Sequence, residues 1–319
     1  MKLRLLICIA LAALAPALFA QRAPVGAGGA GPGASVDTAW IKTKHLDLAY
    51  ARASETQKLD LYLPNEGTGP FPLIIEIHGG AFMMGSKSGM VGPILEALKR
   101  GYAVASISYR LSGEALFPAA IQDVKAAIRF LRANAAQYKL NPAKFATWGG
   151  SAGGNLSALA GTSGGAAALS DPSLGNPNVS DAVQAAVDWY GPIYFSTMDA
   201  EFKALGQTPA MGVTSAATSP ESKYLGKTVG TTDAEALVAQ ASPQTYIDAK
   251  DPPFYIQHGT ADRNIPLTQS KNFAARLGQA LGADKVVFET LDGAGHGGTQ
   301  FDAAANVAKI LDFLDKHLK

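Results

Sequence analysis

Cysteine is nearly absent from this 319-residue chain. Cys8 is its single instance, so no disulfide can close within one molecule. Stability must therefore come from a buried core, and the length suffices for one large core or two smaller ones. An excess of charge of either sign is lacking too: lysine and arginine number 27 against 26 aspartates and glutamates, a net charge of +1. That balance, with no block of like charges, gives no reason to expect a nucleic-acid or polyanionic partner and suits small or uncharged substrates. Long apolar runs of membrane-spanning length are missing as well. The run from Leu5 to about Leu14 lies between Lys2 and Arg4 on one side and Ala15-Pro16-Ala17-Leu18-Phe19-Ala20 on the other. A membrane span needs about 20 apolar residues, so this stretch reads as a secretory signal peptide over residues 1–20, cut after Ala20 or Ala17. An uncleaved anchor is the alternative. Cys8 falls inside the leader, so the mature chain would be free of thiols, secreted or periplasmic, and without a stable membrane span. Residues 21–36 are mostly Gly, Ala and Pro and read as a flexible linker, which leaves 37–319 for the folded domain.

What is present is a rhythm of strands and helices. His45 to Arg52 and Gln57 to Leu63 alternate apolar and polar residues, as an antiparallel edge pair does. Phe71 to Ile77 is almost continuously apolar, as in a strand covered on both faces, and it ends at His78-Gly79-Gly80-Ala81-Phe82. A helical stretch from Val91 to Arg100 leads to a strand from Tyr102 to Tyr109. After Pro118, Ile121, Val124, Ile128 and Leu131 recur at spacings of three and four, which predicts an amphipathic helix. A strand ending at Phe145-Ala146-Thr147-Trp148, a helix through Asn155 to Ala160 and a strand from Val183 to Tyr190 follow. Residues 194–246 break the rhythm and read as a cap-like insertion that helps shape a pocket. It resumes with strand Pro253 to Gln257, helix Leu267 to Leu281, strand Lys285 to Leu291 and a last helix with Val307, Leu311 and Leu314 on one face. Strand alternating with helix is the pattern of an α/β protein with a mostly parallel, doubly wound sheet.

Chemistry concentrates where strands end. In Gly149-Gly150-Ser151-Ala152-Gly153 a serine between small residues follows a strand and opens a helix, the Gly-x-Ser-x-Gly pattern of a strained turn that lifts the hydroxyl clear of the sheet. A serine hydroxyl is a poor nucleophile unless a base takes its proton and an acid orients that base. Of the five histidines, His296 lies in the loop Asp292-Gly293-Ala294-Gly295-His296-Gly297-Gly298 just after the last strand, where a base for Ser151 belongs. Asp262, just past the strand ending at Gln257-His258-Gly259, is the preferred acid; Asp292 is its main rival and Asp251 a more distant one. The chain order Ser151, Asp262, His296 matches one of three known orders for such a trio. Backbone N–H groups of Ala152, Gly80 and Ala81 are the candidates for stabilising a developing oxyanion, and His78 reads as bracing its loop.

With these residues in place the chain resembles the α/β-hydrolase superfamily, within it the hormone-sensitive-lipase-like carboxylesterases and the bacterial feruloyl/acetylxylan esterases. The likeness rests on His78-Gly79-Gly80-Ala81-Phe82, Tyr109-Arg110-Leu111, Phe117-Pro118-Ala119-Ala120 with Asp123, Gly149 to Gly154, His258-Gly259-Thr260-Ala261-Asp262, and His296. Ala81 replaces the third glycine of the usual loop. Gly150 stands where lipase-like members carry aspartate, which tilts the likeness toward the feruloyl/acetylxylan branch. The resemblance implies an α/β-hydrolase fold and a serine carboxylesterase acting on short-acyl or aromatic esters, or on esterified plant polysaccharide, without metal or organic cofactor. It also implies that Arg110 and Asp123 form a structural ion pair. Amide hydrolysis, or a binding module without catalysis, are the alternatives. Phe82, Met83, Met84, Trp189 and Tyr190 are candidates for apolar pocket walls, with burial in the core as the competing reading.

Overall fold

A computed structural model describes residues 36–319 except Val91; the signal peptide and nearly all of the linker expected from the sequence lie outside the described residues. Strands β1 (Thr43–Ala49), β2 (Lys58–Leu63), β3 (Phe71–Ile77), β4 (Ala103–Ile107), β5 (Leu140–Gly150), β6 (Ala185–Trp189), β7 (Phe254–Gly259) and β8 (Val286–Leu291) form one 8-stranded sheet in the order β1-β2-β4-β3-β5-β6-β7-β8. The pairs β1–β2 and β2–β4 are antiparallel, and every pair from β4–β3 to β7–β8 is parallel. The fold is therefore that of the α/β-hydrolases, with the antiparallel pair at one edge as the alternation in the sequence predicts. The helices are α1 (Glu96–Lys99), α2 (Ala119–Ala133), α3 (Ala152–Thr162), α4 (Met198–Ala204), α5 (Pro220–Leu225), α6 (Glu235–Ala241), α7 (Leu267–Leu281), α8 (Thr299–Asp302) and α9 (Ala304–Leu318). The helix expected over 91–100 is shorter than foreseen: Gly92–Leu95 forms a 3-10 turn and only α1 is α-helical. Pro93, without an N–H, and Gly92 are poor α-helix formers at that point.

The two-residue period of β3 divides the core. Leu73, Ile75 and Ile77 pack with Val124 and Ile128 of α2 and with Leu156 and Leu159 of α3. Ile74 faces the opposite layer, with Trp148, Val187 and the Val307, Leu311 and Leu314 face of α9. Burying one such side chain stabilises the fold by about 1.5–3 kcal/mol, which is how a chain without disulfides holds a sheet this wide. Arg110 and Asp123 form the ion pair that the resemblance implies, at 2.8 Å, and Gln57 Nε2 also donates to the fully buried Asp123 at 2.7 Å.

Residues 194–246 connect β6 to β7 and carry α4, α5 and α6. Met198, Phe202, Tyr224, Leu225, Val229, Val238 and Ala241 join the same core as β3 and α2, so the insertion is packed as part of the domain. No helix among the described residues is long and apolar enough to cross a membrane.

Candidate active site

The turn from β5 into α3 is held by close backbone contacts. Ser151 has φ 59° and ψ −125°, a left-handed conformation that a non-glycine residue adopts only where the surroundings enforce it. They do so here. A Cβ on Gly153 would run into the Ile77 carbonyl, and one on Gly149 into the Gly153 carbonyl, so both neighbours must be glycine for the chain to reverse. The Ser151 N–H donates to the Trp189 carbonyl at 2.9 Å, fastening the turn to the end of β6. Gly150 has a different reason: a Cβ there would lie 2.9 Å from the Tyr190 hydroxyl. The Tyr190 ring and a side chain at position 150 thus compete for one space.

Ser151 Oγ lies 2.8 Å from His296 Nε2, and His296 Nδ1 lies 2.7 Å from Asp262 Oδ2. Asp262 is 1% exposed, and its other oxygen accepts from the N–H groups of Asn264 at 2.7 Å and Ile265 at 3.0 Å. Burial by itself would push this carboxyl up, but hydrogen bonds from His258 and His296, with the electrostatic pull of both rings, outweigh it and hold the group well below the usual carboxylate range. It is thereby kept charged to face the imidazole. The rivals do not reach His296: Asp292 accepts from Thr260 Oγ1 at 3.2 Å, and Asp251 from the Asp248 N–H at 3.0 Å. Three chain-distant loops at the carboxyl ends of β5, β7 and β8 therefore meet in one hydrogen-bonded line.

The loop after β3 completes the floor. Gly80, Ala81 and Phe82 take φ 115°, 56° and 59°, and the Gly80 carbonyl accepts from the N–H groups of Met83 at 2.9 Å and Met84 at 3.0 Å. His78 stacks on Tyr109 with centroids 4.2 Å apart, and its Nδ1 is 2.7 Å from the Gly79 carbonyl, so it braces the loop. Burial lowers its ring to about 4, which keeps it uncharged. Ala152 opens α3, where N–H groups of the first turn have no partner within the helix. Ala81 and Ala152 both line a narrow cavity of about 30 Å³ beside Ser151 and His296, with Gly80 one residue behind them in the loop.

The pocket walls expected from sequence require correction. Phe82 does line the cavity, and it stacks on Tyr224 with centroids 3.9 Å apart. Met84 is 60% exposed and off the cavity wall, and Met83 is half-buried, also off it. Trp189 is a core residue on the α9 side of the sheet, wedged edge-on against Trp148 at 5.1 Å and Phe301 at 5.4 Å. Tyr190 lies behind His296, ring to ring at 4.7 Å, and does not line the cavity. The walls come instead from Pro192 and from the insertion, which contributes Met198, Met211, Thr214 and Glu221, with Asn264 and Ile265 opposite. His258, fully buried 3.3 Å from Asp262, is a further member that the sequence reading passed over. Its spacing of four from Asp262 within one post-strand turn was the available signal.

Residues 59–277 match the family model named BD-FAE. The chain is 33% identical to the esterase LipQ of Mycobacterium tuberculosis across 82% of its own length and 58% of that protein's. It is 32% identical to the probable carboxylic ester hydrolase LipM of the same organism across 73% of its length and 51% of the relative's, so it spans just over half of these relatives. Among solved structures, a truncated carbohydrate esterase from gut microbiota superposes with a TM-score of 0.77 at 33% identity, covering 89% of this chain and 99% of that one.

Proposed function

From the premise that the chain belongs to the BD-FAE family of the α/β-hydrolase superfamily, we propose that it is a serine carboxylesterase with Ser151 as nucleophile, His296 as base and Asp262 as the acid orienting it. The observation that carries this reading is His296 bridging Ser151 Oγ at 2.8 Å and Asp262 at 2.7 Å. Ser151 Oγ attacks the ester carbonyl while its proton passes to His296 Nε2. The carbonyl oxygen gains negative charge and is met by the backbone N–H groups of Ala152, Ala81 and Gly80. When the tetrahedral intermediate collapses, His296 gives its proton to the leaving alcohol and an acyl-serine remains. Water then repeats the sequence, losing a proton to His296, and the acid is released with Ser151 restored. Asp262 stays ionised throughout and stabilises the imidazolium.

The narrow cavity favours short acyl groups. Gly150 and the carbohydrate-esterase likeness favour a second reading on the substrate side, an acetyl or feruloyl ester of plant polysaccharide. The secretory leader read from residues 1–20 favours the same substrate side, since an exported enzyme meets such esters. The test is hydrolysis of p-nitrophenyl acetate by the wild type and by Ser151→Ala. Activity falling to background in a variant with an unchanged circular dichroism spectrum is expected; substantial activity in that folded variant overturns the assignment. Comparing acetate or ferulate release from xylan with hydrolysis of simple esters then separates the two substrate readings.

A further inference from the structure

The insertion places an acidic residue, Glu221, in the lining of the cavity beside Ser151. Glu221 sits in the first turn of α5, whose start is fixed by Ser219: the Ser219 hydroxyl accepts from the Ser222 N–H at 3.0 Å. Pro220 occupies the first helical position, and Gly226 closes the helix at φ 68°. This framing turns Glu221 inward. It is 7% exposed, and the surface it keeps lines the same cavity as Ser151 and His296. Glu221 forms no ion pair among the described residues. Its carboxyl takes hydrogen bonds from its own backbone N–H and from Ser219, whose hydroxyl also reaches the Thr214 carbonyl at 2.8 Å, and these occupy only part of what two carboxyl oxygens can accept. Burying a carboxyl without a cation is unfavourable, and a residue in that position has acceptor capacity left for whatever enters the cavity.

We propose that Glu221 is a specificity-determining residue that accepts a hydrogen bond from a hydroxyl on the carbon next to the ester-bearing carbon of the substrate's alcohol. The inference rests on the esterase reading above and deepens it. Glu221 lines the same small cavity as Ser151 and His296, so a hydroxyl that it meets there lies near the ester under attack. The other polar linings, Thr214 and Asn264, are uncharged hydrogen-bonding side chains, as suits a polyol or sugar ring and not an ion. Burial also pushes the Glu221 carboxyl up to about 7, which weakens it as a holder of cations near neutral pH while leaving it able to hydrogen-bond a hydroxyl.

The test uses a pair of esters that differ by that hydroxyl alone: cyclohexyl acetate and trans-2-hydroxycyclohexyl acetate, with acetylcholine as a cationic third substrate. Wild type, Glu221→Gln and Glu221→Ala are compared by kcat/KM, each normalised to the amount of Ser151 labelled by a fluorophosphonate, so that a misfolded fraction drops out. The expected result is that the hydroxy-ester to cyclohexyl-ester ratio falls at least tenfold in Glu221→Ala and by less in Glu221→Gln, whose amide oxygen still accepts. An unchanged ratio overturns the inference and leaves the esterase reading intact. Selective loss of acetylcholine hydrolysis overturns it in favour of a cation site. A labelled wild type that hydrolyses none of the three overturns the esterase reading, and the inference with it.

Discussion

His258 Nε2 lies 3.0 Å from the Ile265 carbonyl and 3.3 Å from Asp262 Oδ2. A carbonyl can only accept, so Nε2 carries the hydrogen and shares it between the two, while Nδ1 accepts from Ser270 Oγ at 2.8 Å. Asp262 Oδ2 is thereby gripped by two imidazoles, one of them immobile in the core. Hydrogen bonds to charged groups contribute about 1.5–3 kcal/mol each, enough to keep a carboxylate from rotating away from its partner. Replacing His258 with Gln is expected to lower kcat roughly tenfold with KM nearly unchanged, because Asp262 remains present but is less firmly aimed at His296. Steady-state kinetics on p-nitrophenyl acetate separate this from a general loss of folded protein, which would scale kcat with active-site titre; a titre-corrected kcat equal to wild type refutes the role.

The choice between the acids is equally direct to test. Asp262→Asn keeps the shape but removes the charge and favours the wrong imidazole tautomer, and such a change lowers kcat by about 10⁴-fold in a comparable trio. Asp292→Asn, whose carboxylate accepts from Thr260 Oγ1, is expected to stay within about twofold of wild type. The two variants assayed side by side decide between them, and equal losses would show that the loop as a whole, not Asp262 itself, supports His296.

Gly150 and Tyr190 are expected to be energetically coupled. Gly150→Ala places a methyl 2.9 Å from the Tyr190 hydroxyl, and the ring it displaces packs against His296. Overpacking of this kind costs about 1–3 kcal/mol. In the double variant with Tyr190→Ala the clash is gone, so the summed destabilisation of the single variants should exceed that of the double by roughly 1 kcal/mol or more. Urea unfolding of all four proteins measures the cycle, and additivity would mean that the two positions do not share space.

The line of Ser151, Asp262 and His296 was legible in the sequence for a physical reason. Parallel strands written as apolar runs announce their own ends, and small residues mark the turns that must be strained or tight. The same reasoning placed the antiparallel edge and the core face of α9. It failed at Trp189 because an aromatic residue at a strand end faces whichever side the two-residue period dictates: Ala185, Val187 and Trp189 share the α9 layer, whereas Ala186 faces the other way. Applying that period to β6 would have assigned Trp189 to the core. Met198, Met211, Thr214 and Glu221 were not legible, since residues 194–246 have no sustained periodicity and their path is set by closure onto the finished domain. Met84 misled because its neighbour Phe82 turns inward on a left-handed backbone that no local pattern foretells.

The carboxyl of Glu221 should leave a signature in stability as well as in selectivity. Its ordinary value is near 4.3, and burial, helped by the nearby Asp199 carboxylate, pushes it up to about 7 in the folded protein. The folded state therefore holds this proton more tightly than the unfolded chain does. Between about pH 4.3 and 7 the unfolded chain has released the proton and the folded protein has not, so stability falls as pH rises through that window and levels off above it. Glu221→Gln cannot ionise and removes this contribution, so its advantage over wild type should grow from near zero at pH 4 to on the order of 3 kcal/mol at pH 8, a rise of several degrees in Tm. Other buried carboxyls with raised values, Asp188 at about 6 and Asp251 at about 7, are common to both proteins and cancel in the difference. Scanning calorimetry across pH 4–8 measures it, and a difference that stays flat with pH would show that Glu221 is already ionised and paired in the folded state. A side chain that lowers stability near neutral pH, yet lines the cavity beside Ser151, is what a residue held for recognition looks like.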